Sequence, residues 1–252
     1  MSADHQARSR ASGERLTDKI KSLAGVRSVL LTHDEAAHDD AGLLVLWDTE
    51  PPAGDEDELL DGVEFRITHR RVATVDQWIA DVIGGADPDL VKQHLIATIR
   101  DGVVLHDTGL IPAWTARTGR YPDELASAMV RAHLNFRSSG QRSRMLERGD
   151  LLPLAQDRLD TARNVLLVLF GLNRIWFAHP GFAGVSRLAE SLPLAPAGLP
   201  ARLDALFTAT PASSVPAADA LISETLILIA RHLPDAGAAT ALARLSRFTG
   251  RA

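Results

Sequence analysis

The sequence predicts an α+β chain in which a small sheet-containing N-terminal domain is followed by a helical bundle. Two observations carry that expectation. Runs 26–31, 43–47 and 63–72 are rich in β-branched and large apolar residues and are bounded by turn formers, the signature of strands. Beyond Pro122, apolar residues recur at helical spacing almost to the C-terminus. The expected division is 1–115 and 116–252, both ordinary domain sizes.

Element by element, Leu16, Ile20 and Leu23 predict a short amphipathic helix over 13–23 leading into the first strand. Pro51-Pro52-Ala53-Gly54 and the acids between Asp55 and Asp61 read as a turn and a solvated charge run. Thr74 is the expected N-cap of a helix reaching Ile83, stopped by Gly84-Gly85. Asp87-Pro88 opens another helix through Ile99, and 103–107 reads as a short strand. Helices are then expected over 122–137, 142–146, 151–178, 183–192, 199–208, 217–233 and 236–248, with Pro-Ala-rich loops at 193–200 and 210–216.

Bulk composition narrows the function. A 252-residue chain that is 46% hydrophobic buries a substantial core, and a formal charge of -5 with pI near 6.0 argues against a nucleic-acid partner. There is no cysteine, which removes disulfides, thiolate metal sites and a Cys nucleophile. The polar N-terminus lacks the apolar core of a signal peptide, and no apolar run approaches the roughly 20 residues that span a bilayer, so a cytoplasmic protein without a membrane partner is expected. Lysine occurs only at Lys19, Lys21 and Lys92 while arginine abounds, a bias typical of GC-rich bacterial genomes. No serine nucleophile elbow, phosphate-binding glycine loop, dinucleotide fingerprint or heptad repeat occurs, and no cofactor is implied.

The stretch 26–48 is the most specific. A first apolar run enters the loop Thr32-His33-Asp34-Glu35-Ala36-Ala37-His38-Asp39-Asp40, and a second run leaves it. This arrangement resembles the catalytic cassette of the bacterial nucleotidyltransferase superfamily, of the aminoglycoside and minimal types with a helical C-terminal domain. Further pieces follow in that superfamily's order: Asp76-Gln77-Trp78-Ile79, Gly84-Gly85, 99–107, Tyr121-Pro122-Asp123-Glu124-Leu125 and Leu169-Phe170-Gly171-Leu172-Asn173-Arg174. Together they cover roughly 15–207. The resemblance implies a mixed sheet, a helical substrate domain and a pocket between the two. It also implies a Gly-Ser turn at the end of the first strand, an Asp-x-Asp pair at the start of the second and a further acid on the third.

This chain departs from that pattern at most of its chemistry. His33-Asp34 stands at the Gly-Ser place, where close backbone approach to a phosphate needs glycine, and Asp34 repels phosphate. Asp40 matches the first acid, Gly42 replaces the second and Arg66 falls near the third. Carboxylates hold the metal ions that neutralise a triphosphate, so their loss implies a degenerate site without ordinary two-metal transfer. No metal is assigned. His33, Asp34 and His38 have donor atoms for one, against the commoner solvated acidic loop.

The candidate site is drawn from what remains. Alternation puts Glu64, Arg66 and Thr68 on one strand face, and Glu64 substitutes for a missing acid if the register shifts by a residue pair. Asp40, Glu64 and His179 are the expected catalytic groups, His179 because imidazole titrates near neutrality. Arg66, His69, Asp160, Arg163, Asn164 and Asn173 are the expected substrate- or anion-binding groups, arginine because its fork takes carboxylate or phosphate. Edge protection by charge and a structural polar network are the plainer readings of the same residues.

The function expected is a repurposed biosynthetic enzyme of bacterial secondary metabolism. It binds a small polar or anionic metabolite and assists substitution or elimination of an anionic leaving group without metal. An active metal-dependent nucleotidyltransferase acting on a small molecule and a non-catalytic subunit of a heteromeric complex are the alternatives, and assembly as a homo- or hetero-oligomer is left open.

Overall fold

The computed structural model describes residues 3–33, 41–178 and 185–246. It divides into two compact units, Met1–Arg120 with Trp176–Gly184, and Tyr121–Ile175 with Val185–Ala252. The architecture is α+β, with all five described strands in the first unit.

The first unit opens with α1 (Ala3–Ile20), which begins well before the expected position 13. Gly13 lies inside this helix, and a Cβ there would come within 3.2 Å of Leu31, so glycine lets α1 approach the sheet. Strands β1 (Val26–His33) and β2 (Ala41–Trp47) pair antiparallel, Leu30 against Leu44. Next comes β3 (Glu56–Leu60), where only a charge run was expected. Its register with β4 (Val63–Arg71) closes at Leu60 opposite Val63 across Asp61-Gly62. Both turn residues have positive φ, 53° and 74°, which is the type I′ geometry matched to strand twist. β3 is an edge strand whose acids fall on both of its faces, so period and charge misled where the Asp-Gly dipeptide was the true signal.

The strand order is β3-β4-β2-β1-β5, with β5 (Val103–Asp107) antiparallel to β1 and β2 parallel to β4. One parallel pair among antiparallel ones makes the sheet mixed. Leu16 of α1 packs on one face over Val29, Leu31, Val45, Phe65 and Ile67. The other face buries Leu30, Leu44 and Leu46 beneath α2 (Val72–Gly85) and α3 (Leu90–Asp101). α2 follows β4 directly from Arg71, so Thr74 lies inside the helix and is not its cap. Asp89 caps α3 through Val91 and Lys92. The short α4 (Leu110–Arg117), unread in the sequence, is started by Asp107, whose carboxylate accepts from the backbone N–H groups of Gly109, Leu110 and Ile111.

The second unit is all helical among its described residues: α5 (Asp123–His133), α6 (Ser139–Arg148), α7 (Leu151–Asn173), α8 (Val185–Ser191), α9 (Leu199–Thr208), α10 (Pro211–His232) and α11 (Ala238–Ser246). α5 stops at His133, leaving a loop over 134–138 where helix was expected. α7 ends earlier than expected, on Arg174 in the left-handed conformation. α10 begins at Pro211, capped by Thr210, so the expected loop 210–216 is its first turns. By length and composition α10 is apolar enough to cross a membrane; here Leu221, Ile222, Leu226 and Ile229 are buried in the unit. α5 and α7 pack tightly at Gly171, where a Cβ would lie 2.8 Å from Met129 Cβ.

Candidate functional site

Two places concentrate the residues that the sequence singled out. On the sheet, the parallel register sets Gly42 of β2 directly against Arg66 of β4. The two positions at which the sequence resemblance implies acids are therefore neighbours in space, and they hold glycine and arginine. A Cβ at Gly42 would lie 2.2 Å from Thr32 Oγ1, so a larger side chain there must first turn the threonine away. Arg66 is 70% exposed, and its Nε donates to Asp57, its direct partner across the β3–β4 hairpin, at 3.2 Å. Glu64 shares that exposed face.

His69 does not. Strand alternation turns it to the buried side, where its Nδ1 accepts a 3.1 Å bond from Trp47 Nε1 and its Nε2 has no partner. Burial lowers its pKa; Glu56 and Asp55 oppose the shift and Arg70 adds to it. The structure thus separates His69 from Arg66. Arg70 and Arg71 reach instead to Asp55 and Glu50. Asp40, with Asp34, His38, Asp39 and the expected base His179, lies outside the described residues; of His33 only the backbone pairing with Ala41 is described. Among the described residues no three acidic or histidine side chains are grouped to hold a metal ion.

The second place is a cavity of about 480 Å³ lined wholly by the helical unit. From α7 come Asp157, Asp160, Thr161 and Asn164. Positions i, i+3, i+4 and i+7 form one stripe on a helix. Arg163 falls about 100° away by helical geometry and does not line the cavity. The loop 134–138 supplies Asn135 and Arg137, and α6 supplies Gln141. Asn164 Nδ2 donates to Asn135 O at 3.0 Å, fastening the loop to α7. Ser138 and Gln141 form a reciprocal capping box that fixes the start of α6.

Beneath the cavity, Arg142 is almost wholly buried, at 1% exposure. Its Nε donates to Asp157 at 2.7 Å, one terminal nitrogen to Asp219 at 2.8 Å and the other to Thr161 at 3.4 Å. Ser139 also donates to Asp219, and Arg137 reaches Asp157 at 3.4 Å. Two arginines thus face two aspartates, and Arg137 and Asp157 of this network also line the cavity. Asp160 accepts a 2.9 Å bond from Gln156 and makes no ion pair among the described residues. Burial and the nearby Arg163 both lower the pKa of His133, at the end of α5.

Asn173, also expected at the site, clamps the backbone instead. Its amide nitrogen donates to Leu169 O and Leu194 O, at 2.8 and 2.9 Å, and its oxygen accepts from Leu194 N at 2.9 Å. Sequence reasoning missed Asp157, Thr161, Arg137 and Gln141. The signal for the first two was a polar stripe at helical period on an otherwise apolar helix; Arg137 sits at a loop that had been read as helix, and Gln141 lies in the first turn of α6, ahead of the helix expected from 142.

Residues 89–181 match a family described as a domain of unknown function (DUF4037). No curated protein matches. Among solved structures, a nucleotidyltransferase-like protein from Exiguobacterium sibiricum 255-15 is 12% identical, with 96% of this chain and 80% of that chain covered at a TM-score of 0.48. The α+β architecture rests on the strand order and register above.

Proposed function

We propose that the chain is a diverged nucleotidyltransferase-fold protein that has lost two-metal nucleotidyl transfer and binds a small polar or anionic metabolite, as a metal-independent biosynthetic enzyme of bacterial secondary metabolism. The observation that carries this reading is the pairing of Gly42 with Arg66 across the parallel strands. Two-metal chemistry needs carboxylates converging on the cations, and a guanidinium in their place repels a metal and attracts an anion. An anionic group arriving there competes with Asp57 for Arg66. Glu64, two residues away on the same face, is the acid positioned to orient or deprotonate a nucleophile, with Asp40 and His179 assigned beside it from sequence.

The test is a calorimetric titration of the full chain with ATP and the other nucleoside triphosphates, with and without magnesium, with Asp40→Ala as control. No magnesium-dependent binding is expected. Magnesium-dependent binding that disappears in Asp40→Ala would restore nucleotidyl transfer and end this reading.

A further inference from the structure

We infer that His69 and Trp47 form an acid-sensitive latch at the end of the sheet: neutral, the imidazole holds the Trp47 indole, and protonated, it gives up Trp47 and takes Glu56 as its partner. The latch does not depend on the reading of Arg66, since alternation along β4 puts the two side chains on opposite faces.

The two ring nitrogens set the neutral state. Nδ1 accepts from Trp47 Nε1 at 3.1 Å, so it carries no proton, and the single proton of the neutral ring sits on Nε2. Nε2 is buried without a partner among the described residues, and His69 as a whole is 8% exposed. The ring is therefore held through Nδ1, the atom at which a second proton must arrive. Protonation turns that acceptor into a donor, and two N–H groups then face each other where the bond had been. An imidazolium kept in place would be a buried charge with no acceptor at either nitrogen, which is far costlier than the neutral ring. Protonation and release of Trp47 are thus one event.

The charges around the ring decide where it goes. Ile67, two residues before His69 on the same face of β4, pairs with Glu56 of β3, so Glu56 is a diagonal cross-strand neighbour of His69. Glu56 is exposed on an edge strand and makes no ion pair among the described residues. Other charges nearby are engaged: Asp55 takes Arg70 at 3.5 Å, and Glu58 takes Lys19 of α1, the helix that covers this face, at 3.9 Å. Just past the end of α1, Lys21 is held by Asp18, and past the end of β2, Asp48 is held by Arg27. Glu56 and Asp55 favour protonation of the ring, while burial and Arg70 oppose it. Burial is the largest of these, so the exchange falls below the ordinary imidazole value of about 6.5.

Heteronuclear NMR of the isotopically labelled full chain, between about pH 8 and about pH 5, tests this at the indole N–H groups, with Trp47→Phe assigning the Trp47 signal. That signal is expected to move with a single midpoint below about 6.5, while those of Trp78, Trp114 and Trp176 stay in place. His69→Gln keeps an acceptor for the indole and is expected to hold the Trp47 signal still across the range. Glu56→Gln breaks no ion pair among the described residues and is expected to lower the midpoint by about 0.3 pH unit or more. It carries the test even if His69→Gln fails to fold. A Trp47 signal unmoved down to about pH 5, one that still moves in His69→Gln, an unchanged midpoint in Glu56→Gln, or loss of all the indole signals at one midpoint would overturn the proposal.

Discussion

The two units handle charge in opposite ways. On the sheet, Arg66 and Asp57 face each other across a hairpin with side chains 70% and 57% exposed. In the helical unit, Arg142 and Asp157 make the same kind of pair at 1% and 3% exposure, joined by Asp219, Thr161 and Ser139. Exposed pairs are screened by water and their net worth is small, whereas a buried pair must be kept whole because a lone buried charge is very costly. The sheet's arginine is therefore replaceable or recruitable. The helical unit's arginine is part of the framework that holds a cavity open above it.

The contrast is most exposed to failure at Asp157. Asp157→Ala leaves Arg142 with Asp219 and the Thr161 hydroxyl, and a loss of about 3–5 kcal/mol in a denaturant titration is expected. A loss below about 1 kcal/mol would mean that the network is as dispensable as the surface pair.

Gly171→Ala comes next. Helix propensity alone favours alanine by about 1 kcal/mol, but the new Cβ would meet Met129 Cβ at 2.8 Å, so net destabilisation of about 1–3 kcal/mol is expected from overpacking. The sign of the change in thermal midpoint decides between local propensity and packing.

Acidity gives a third, smaller effect. Burial holds the folded-state pKa of His69 below its ordinary value, so the unfolded chain binds the proton more readily. The resulting stability is present above about pH 6.5 and is lost as pH falls through that value toward the folded pKa. His133 contributes in the same direction. Denaturation midpoints measured between neutrality and mild acid are expected to decline, and less steeply in His69→Gln; an equal slope in the variant would remove His69 from the account.

The smallest effect is expected at the exposed pair. Arg66→Ala is expected to change stability by less than about 1 kcal/mol, with its effect vanishing in a double-mutant cycle with Asp57→Ala at high salt. A cost comparable with Asp157→Ala would erase the distinction between the units.

Much of the scaffold was legible because it is local. Runs at 26–31 and 43–47 became β1 and β2 with a few residues added, and 199–208 became α9 without change. β3 escaped because acids on both of its faces obscured an edge strand, although Asp61-Gly62 announced the hairpin. Alternation was correct for Glu64 and Arg66, and applied one residue further it separates His69 from them. On α7, the stripe through Asp160 and Asn164 was half seen. Arg163 was included by its three-residue spacing from Asp160, and Asp157 and Thr161 were passed over.

By itself the sequence determined the residue types available for chemistry, and the absence of cysteine removes thiolate chemistry. It also determined most elements, since strand and helix periods are read from neighbours a few residues apart. Only the tertiary structure decided that Gly42 stands opposite Arg66, that Arg142 draws aspartates from α7 and α10 to itself, and that the loop 134–138 closes over α7 to leave a polar cavity. Those outcomes depend on contacts between residues far apart in the chain, where register and burial are settled by packing the whole unit and leave no local period to read.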